Sequence, residues 1–239
     1  MNKILKLKQM IESARKIVVF TGAGISVASG IPDFRSASGI YNKKSEYGYP
    51  PEQIISHSFF EKNPEIFFDF YKNKMVFPKA KPNAAHIFFA NLEKDKDVTV
   101  VTQNVDDLHQ RAGSSKVYPV HGTVAKNYCI KCKKEYDVDF IMQSAGIPKC
   151  EVDFGIVRPD IVLYEESLNA QIIEDSIKAI ENADMLIVVG TSLVVYPAAG
   201  FIRYFKGNNL VLINKSETPY DHSADLVINE DITKVVEQL

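Results

Sequence analysis

Five short runs of β-branched and aliphatic residues recur along the chain, and none alternates cleanly with polar residues. They are KIVVFT at 16–21, VTVVTQ at 98–103, MLIVVGT at 185–191, LVLIN at 210–214 and DLVI at 225–228. A strand with one face in water reads apolar–polar–apolar, whereas a near-continuous apolar run needs cover on both faces, as in a parallel sheet. Parallel neighbours cannot be joined by a tight turn, so helices are required between them. Helical patterns are expected at 84–92, 105–112, 168–182, 197–205 and 232–238, with Gly113 and Gly207 as C-terminal caps. The alternation predicts an α/β fold built on a doubly wound, Rossmann-like parallel sheet.

Two segments interrupt this pattern. Residues 36–82 are rich in Tyr, Phe, Lys and Pro, with a helix expected around 65–75, and residues 122–155 hold all three cysteines. Both are read as inserts that form a second, smaller domain, one part helical and one part like a zinc ribbon. The large domain is then expected to comprise 1–35, 83–121 and 156–239, and the small one 36–82 and 122–155. Within the second insert, Cys129 and Cys132 form a C-x-x-C pair, and seventeen residues separate Cys132 from Cys150. A zinc ribbon would place its fourth cysteine at 153, where this chain has Asp153. Carboxylate oxygen is an acceptable zinc ligand, so Cys129, Cys132, Cys150 and Asp153 are expected to hold a structural zinc. A metal-free ribbon and Glu151 as substitute ligand are the alternatives.

The composition sets limits on partners and location. A hydrophobic fraction of 46% with 24% charged residues is ordinary for a soluble globular protein. A net charge of −2 gives no electrostatic reason to expect nucleic acid as a partner. The apolar runs are too short to span a bilayer, so no membrane is expected. The N-terminal MNKILKLKQMIESARK has an apolar helical face but no continuous apolar core or cleavage motif, which argues for a cytoplasmic protein.

Ligands of an open α/β sheet bind beyond the carboxyl ends of its strands, and polar residues gather there. TGAGIS follows the first run: Gly22 and Gly24 match the first two glycines of a dinucleotide turn, but Val27 stands in the third place. VTQNVDDLHQRAG brings Gln103, Asn104 and Asp106 to a strand end, and VHGT brings His121. VGTSL and LINKSETP end two further strands with small polar residues and with Asn214. Each cluster alone has a plain explanation, such as a helix cap at Asn104 or Asp106. Their convergence on one sheet edge favours a ligand site.

These segments together resemble the sirtuin family of NAD-dependent protein-lysine deacylases, of bacterial type. The resemblance rests on GAGIS, GIPDFRS, TQNVDDLHQRAG, HG, CIKC, RPDIVLYEE, GTSLVVYP and INKSETP, in family order over nearly the whole chain. It implies NAD as cofactor, with Ala23, Gly24, Asp33, Phe34 and Arg35 in the cofactor loop and Phe34 shielding the ribose. It places Gln103, Gly190, Thr191, Ser192, Asn214, Lys215 and Asp231 along the ribose and adenosine. It assigns Asn104, Val105 and Asp106 to a nicotinamide pocket and His121 to general base, with Asn104 and Asp106 also counted as catalytic. The implied reaction is an acyl transfer: nicotinamide leaves the ribose, and the acyl group passes from lysine to ADP-ribose.

The partner the resemblance implies is an extended acyl-lysine peptide, paired between VLYEE and SLVVYP, with Val162, Tyr164, Glu165 and Val194 in contact. Here the chain departs from the family, because Glu165 stands where glycine usually precedes the glutamate. Tyr71 and Lys74 fall near a position where some sirtuins recognise acidic acyl groups, although an exposed helix charge is the plainer account of Lys74. A mono-ADP-ribosyltransferase is the alternative enzyme. A non-catalytic NAD-binding or redox-sensing module is the alternative from another class, and the intact Asn104, Asp106 and His121 argue against it.

Overall fold

In a computed structural model, residues 2–34, 39–40 and 46–239 are described. The chain opens with α1 (Lys3–Ser13), whose first turn is capped by the Asn2 side chain accepting the Ile4 N–H. β1 (Lys16–Thr21) leads into a 3-10 turn at Ala23–Ser29. Next come α2 (Pro51–Ile54), α3 (His57–Lys62), α4 (Pro64–Phe70) with a wider π turn over Tyr71–Met75, and α5 (Ala84–Leu92). β2 (Asp97–Thr102), α6 (Leu108–Ala112), β3 (Val117–Pro119), β4 (Gly122–Cys129), β5 (Glu135–Tyr136), α7 (Val138–Gln143) and β6 (Val157–Ile161) follow. The chain closes with α8 (Ala170–Glu181), β7 (Met185–Val189), a 3-10 stretch at Ala198–Tyr204, β8 (Leu210–Ile213), β9 (Leu226–Ile228) and α9 (Ile232–Val236).

Six strands form one parallel sheet in the order β3-β2-β1-β7-β8-β9. The five apolar runs supply β1, β2, β7, β8 and β9, and their lack of alternation is explained by cover on both faces. Ile17, Val19, Val100, Ile187 and Val211 pack with residues of α1, α5 and α9. Val18, Phe20, Leu186, Val188 and Leu212 pack on the other face with α8 and the Ala198–Tyr204 stretch. A second sheet, β5-β4-β6, is antiparallel. It shares a core with the aromatic helices, in which Phe67, Phe68, Phe70 and Tyr71 meet Ile141, Val157, Cys129 and Cys150.

Several expectations need correction. β3 was not foreseen; three residues are too few to show a pattern. The helix expected at 105–112 starts only at Leu108, because Asp107 adopts a left-handed φ of 63° and leaves 103–107 as a loop. The stretch at 197–205 is 3-10 rather than α, and its cap is Phe205, not Gly207. Gly207 is needed for space: a Cβ there would lie 2.6 Å from the Phe205 ring. β6 (Val157–Ile161) pairs with β4 in the second sheet. Among the described residues, no helix is long and apolar enough to cross a membrane.

Candidate active site at the strand ends

The glycine turn is shaped by the chain's own backbone. Gly22 and Gly24 donate their N–H groups to the carbonyls of Val189 and Gly190 at 3.0 and 2.8 Å. A Cβ on Gly24 would stand 2.7 Å from the Gly190 Cα, and one on Gly22 would stand 2.7 Å from the Thr191 Cβ. The loops after β1 and β7 therefore meet without side chains between them, a requirement the dinucleotide reading did not contain. Gly190 itself has φ 60°. Ala23, Asp33 and Phe34 are half-buried along the same edge. Arg35 lies outside the described residues.

Ser26 in this turn bridges to the loop after β2. Asn104 Nδ2 donates to Ser26 Oγ at 3.0 Å, and Ser26 Oγ donates to Asp106 Oδ2 at 2.6 Å. The other Asp106 oxygen accepts the Leu108 N–H at 3.0 Å. Burial raises the Asp106 pKa against the pull of these bonds. Sequence reasoning quoted Ser26 inside GAGIS but gave it no role; only the fold brings it to Asp106, eighty residues away. Val105, between the two polar residues, accepts the Val124 N–H and joins the two sheets.

His121 follows β3. Its Nδ1 lies 3.0 Å from the Gln103 carbonyl oxygen, which can only accept, so Nδ1 carries the proton and Nε2 is the basic nitrogen. Burial lowers the ring's pKa below the ordinary value, so it is neutral near pH 7. Beside it, Gln103 Nε2 donates to Thr191 Oγ1 at 3.1 Å, and the Thr191 N–H donates to Asn214 Oδ1 at 2.9 Å. Asn214 Nδ2 is buried with no partner, a donor that an incoming polar ligand would satisfy. Ser192 is exposed at the rim. Lys215 pairs with Asp231 at 2.9 Å, and Asp231 also caps α9 through the Thr233 N–H.

The residues that the resemblance assigns to the peptide lie after β6 and after β7. Val162 donates its N–H to the His121 carbonyl, and Tyr164 is bridged in parallel to Ser56. Val194 is exposed. Glu165 has φ 74°, and its carboxylate accepts the N–H and hydroxyl of Ser58 at 2.8 and 3.0 Å. Glu166 takes Arg158 Nη1 at 2.6 Å and His57 at 2.8 Å. Of the two acyl-group candidates, Tyr71 is in the aromatic core with 0% exposure. Lys74 is ion-paired with Glu46.

The metal-ligand set converges. One ligand atom from each of Cys129, Cys132, Cys150 and Asp153 lies within 4.8 Å of all the others. Cys132 and Cys150 sulfurs are 3.6 Å apart, and Cys129 Sγ is 3.2 Å from Asp153 Oδ1. A tetrahedral zinc with Zn–S of about 2.3 Å and Zn–O of about 2.0 Å would space sulfurs by about 3.8 Å and sulfur from oxygen by about 3.5 Å. The residues fit the ion. The N–H groups of Lys131 and Val152 point at Cys129 and Cys150 sulfurs, and that of Gly155 at Asp153. Glu151 pairs with Lys134 instead.

Known proteins resemble this chain in sequence and in fold. The model of the Sir2 family matches residues 22–197. NAD-dependent protein deacetylases of Clostridium acetobutylicum and Clostridium perfringens are 55% and 56% identical over 99% and 98% of this chain, and over 98% and 97% of their own lengths. A solved Sir2 variant with deacetylated p53 peptide and 3′-O-acetyl ADP-ribose superposes with TM-score 0.89 at 39% identity, covering 98% of this chain and 96% of that one. A Sir2 complex with p53 peptide and NAD+ superposes with TM-score 0.85 at 39% identity, covering 98% and 95%. Motifs, fold and relatives agree: the chain belongs to the Sir2 family.

Proposed function

We propose that this chain is an NAD-dependent protein-lysine deacylase that removes acetyl groups from peptide lysines and transfers them to ADP-ribose. The observation that carries this reading is His121: a neutral imidazole with Nδ1–H committed to the Gln103 carbonyl and Nε2 left as base, beside the Ser26–Asn104–Asp106 cluster. NAD, when bound, supplies a ribose carbon bearing nicotinamide as leaving group.

The chain's residues provide the rest. Asn104, Val105 and Asp106 form the nicotinamide side of the site, with Asp106 held by Ser26 and by the Leu108 amide. Gln103, Gly190, Thr191, Ser192 and Asn214 line the ribose and adenosine side, where the orphaned Asn214 Nδ2 offers a donor. Lys215 and Asp231 close that side, and Ala23, Gly24, Asp33 and Phe34 belong to the loop over the cofactor, excluding water while the acyl oxygen attacks. His121 Nε2 takes the proton of a ribose hydroxyl, a transfer suited to a group that is neutral near pH 7. The acyl-lysine peptide adds as a strand between 162–165 and the loop at Val194. Glu165 leaves that edge open, because its carboxylate is turned onto Ser58. Zinc on Cys129, Cys132, Cys150 and Asp153 is structural in this reading, and the reducing cytoplasm suits a protein that needs free thiols.

His121→Ala tests the assignment. Removing a general base costs about 10²–10⁴ in turnover. The variant should lose deacetylation on that scale and keep NAD binding by calorimetry; turnover close to wild type would remove His121 from the chemistry.

A further inference from the structure

Two buried histidines stand behind the site without a role in the chemistry above. His86 on α5 and His109 on α6 have 0% and 1% exposure, and their rings meet edge to face with centroids 4.8 Å apart. His86 Nε2 and His109 Nδ1 are both buried without a hydrogen-bond partner. Burial pulls their pKa values down to about 4 and about 3, so each ring carries a single proton at neutral pH.

The position of each proton follows from the neighbours. His86 Nδ1 accepts the Asn83 N–H at 3.3 Å, so its proton is on Nε2, a donor lacking an acceptor. His109 Nε2 lies 3.1 Å from Thr21 Oγ1, which donates to Thr102 Oγ1 at 2.8 Å. With the Thr21 proton so used, His109 Nε2 must donate and Nδ1 is a bare acceptor. The two orphaned atoms are then complementary, one donor and one acceptor on touching rings. The opposite tautomer of His109 would leave two buried N–H groups with no acceptor, at about 1–3 kcal/mol each.

Both ends of this line reach the site. Thr102 Oγ1 accepts the backbone N–H of Asn104 at 3.0 Å. At the other end, the Asn83 side chain donates to the Ile25 carbonyl and to Ser29 Oγ at 2.8 and 2.9 Å, holding the turn that contains Ser26. We propose that His86 Nε2–H pairs with His109 Nδ1, directly or through one buried water, completing a relay through Thr21 and Thr102 that positions the Asn104 turn against the Ser26 turn. His109 is a positioning residue for NAD, which rests on the assignment of Asn104 and Asp106 to the nicotinamide side.

Two measurements test the relay. In ¹⁵N-labelled protein, imidazole nitrogen shifts should show both histidines as Nε2–H tautomers; a Nδ1–H tautomer at His109 overturns the relay. This readout needs no NAD, so it judges the relay even on a protein that turns over no substrate. In kinetics, Thr21→Val and His109→Leu should each lower kcat/KM for NAD about tenfold, the scale of one lost buried hydrogen bond. The double variant should be no worse than the poorer single one. His109→Gln, whose amide can donate to Thr21, should recover most of the loss at unchanged fold. Additive losses, or His109→Gln no better than His109→Leu, overturn the positioning role. If His109→Leu does not fold, Thr21→Val paired with Thr102→Val carries the same cycle.

Discussion

Glu165 shows how a residue that breaks a family pattern can be held by its own partners. A left-handed φ of 74° suits glycine, and a side chain there costs about 1–2 kcal/mol. Two hydrogen bonds to Ser58 at the start of α3 offset that cost and fix the carboxylate there. The substitution was legible in the sequence; the direction of its side chain was not, because Ser58 is more than a hundred residues away. His86 and His109 make a different kind of statement, about acid. In the unfolded chain an imidazole takes its proton near pH 6.5, while the folded protein holds these two neutral down to about 4 and about 3. As pH falls below 6.5, the unfolded chain binds protons that the folded chain refuses, and stability drops. Between pH 6.5 and 5.5 the pair together costs about 2 kcal/mol. Carboxylates act lower: Glu166, which burial would raise, is held at about 2 by Arg158, so its contribution persists until pH falls below the ordinary carboxylate value. Urea midpoints at the two pH values measure the histidine effect, and equal midpoints would contradict the neutral pair.

Elements were legible where a local rule governs them. The five apolar runs declared a covered parallel sheet, and the paired cysteines with Asp153 declared the ribbon. The misses have non-local causes. β3 gains its order from β2, and the loop at 103–107, broken from α6 by the left-handed Asp107, is held by the bonds of Asp106 to Ser26 and Leu108. Gly22 and Gly24 were visible as glycines, but their partner is Gly190 on another strand, so their packing reason was hidden. The ribbon carries its own prediction. Its four ligands are spaced for zinc, and the small core around Cys129 and Cys150 depends on them. Purified protein should contain close to one zinc per chain, and chelation should lower its Tm; Asp153→Cys should retain the metal and resist the chelator better. Substoichiometric zinc with an unchanged Tm after chelation would mean that packing alone holds the ribbon.

At the scale of the molecule, one sheet edge gathers residues from four distant segments. The loop after β1 brings Ser26, the loop after β2 brings Asn104 and Asp106, the loop after β7 brings Thr191, and the end of β8 brings Asn214. The second sheet abuts this edge through His121, whose carbonyl takes the Val162 N–H. That arrangement suits the proposed roles of His121 as base and of this edge as cofactor site, which acyl transfer from lysine to a ribose hydroxyl would require. The polar residues at these strand ends were visible in the sequence, yet the tie between Ser26 and Asp106 and the line of histidines behind them needed the folded chain. The central claim is the transfer itself. Acetyl-lysine peptide incubated with NAD and the protein, followed by mass spectrometry, should release nicotinamide, deacetylated peptide and acetyl-ADP-ribose in equal amounts. Nicotinamide release with the peptide still acetylated and ADP-ribose attached to protein, or deacetylation to free acetate without NAD consumption, would contradict the account.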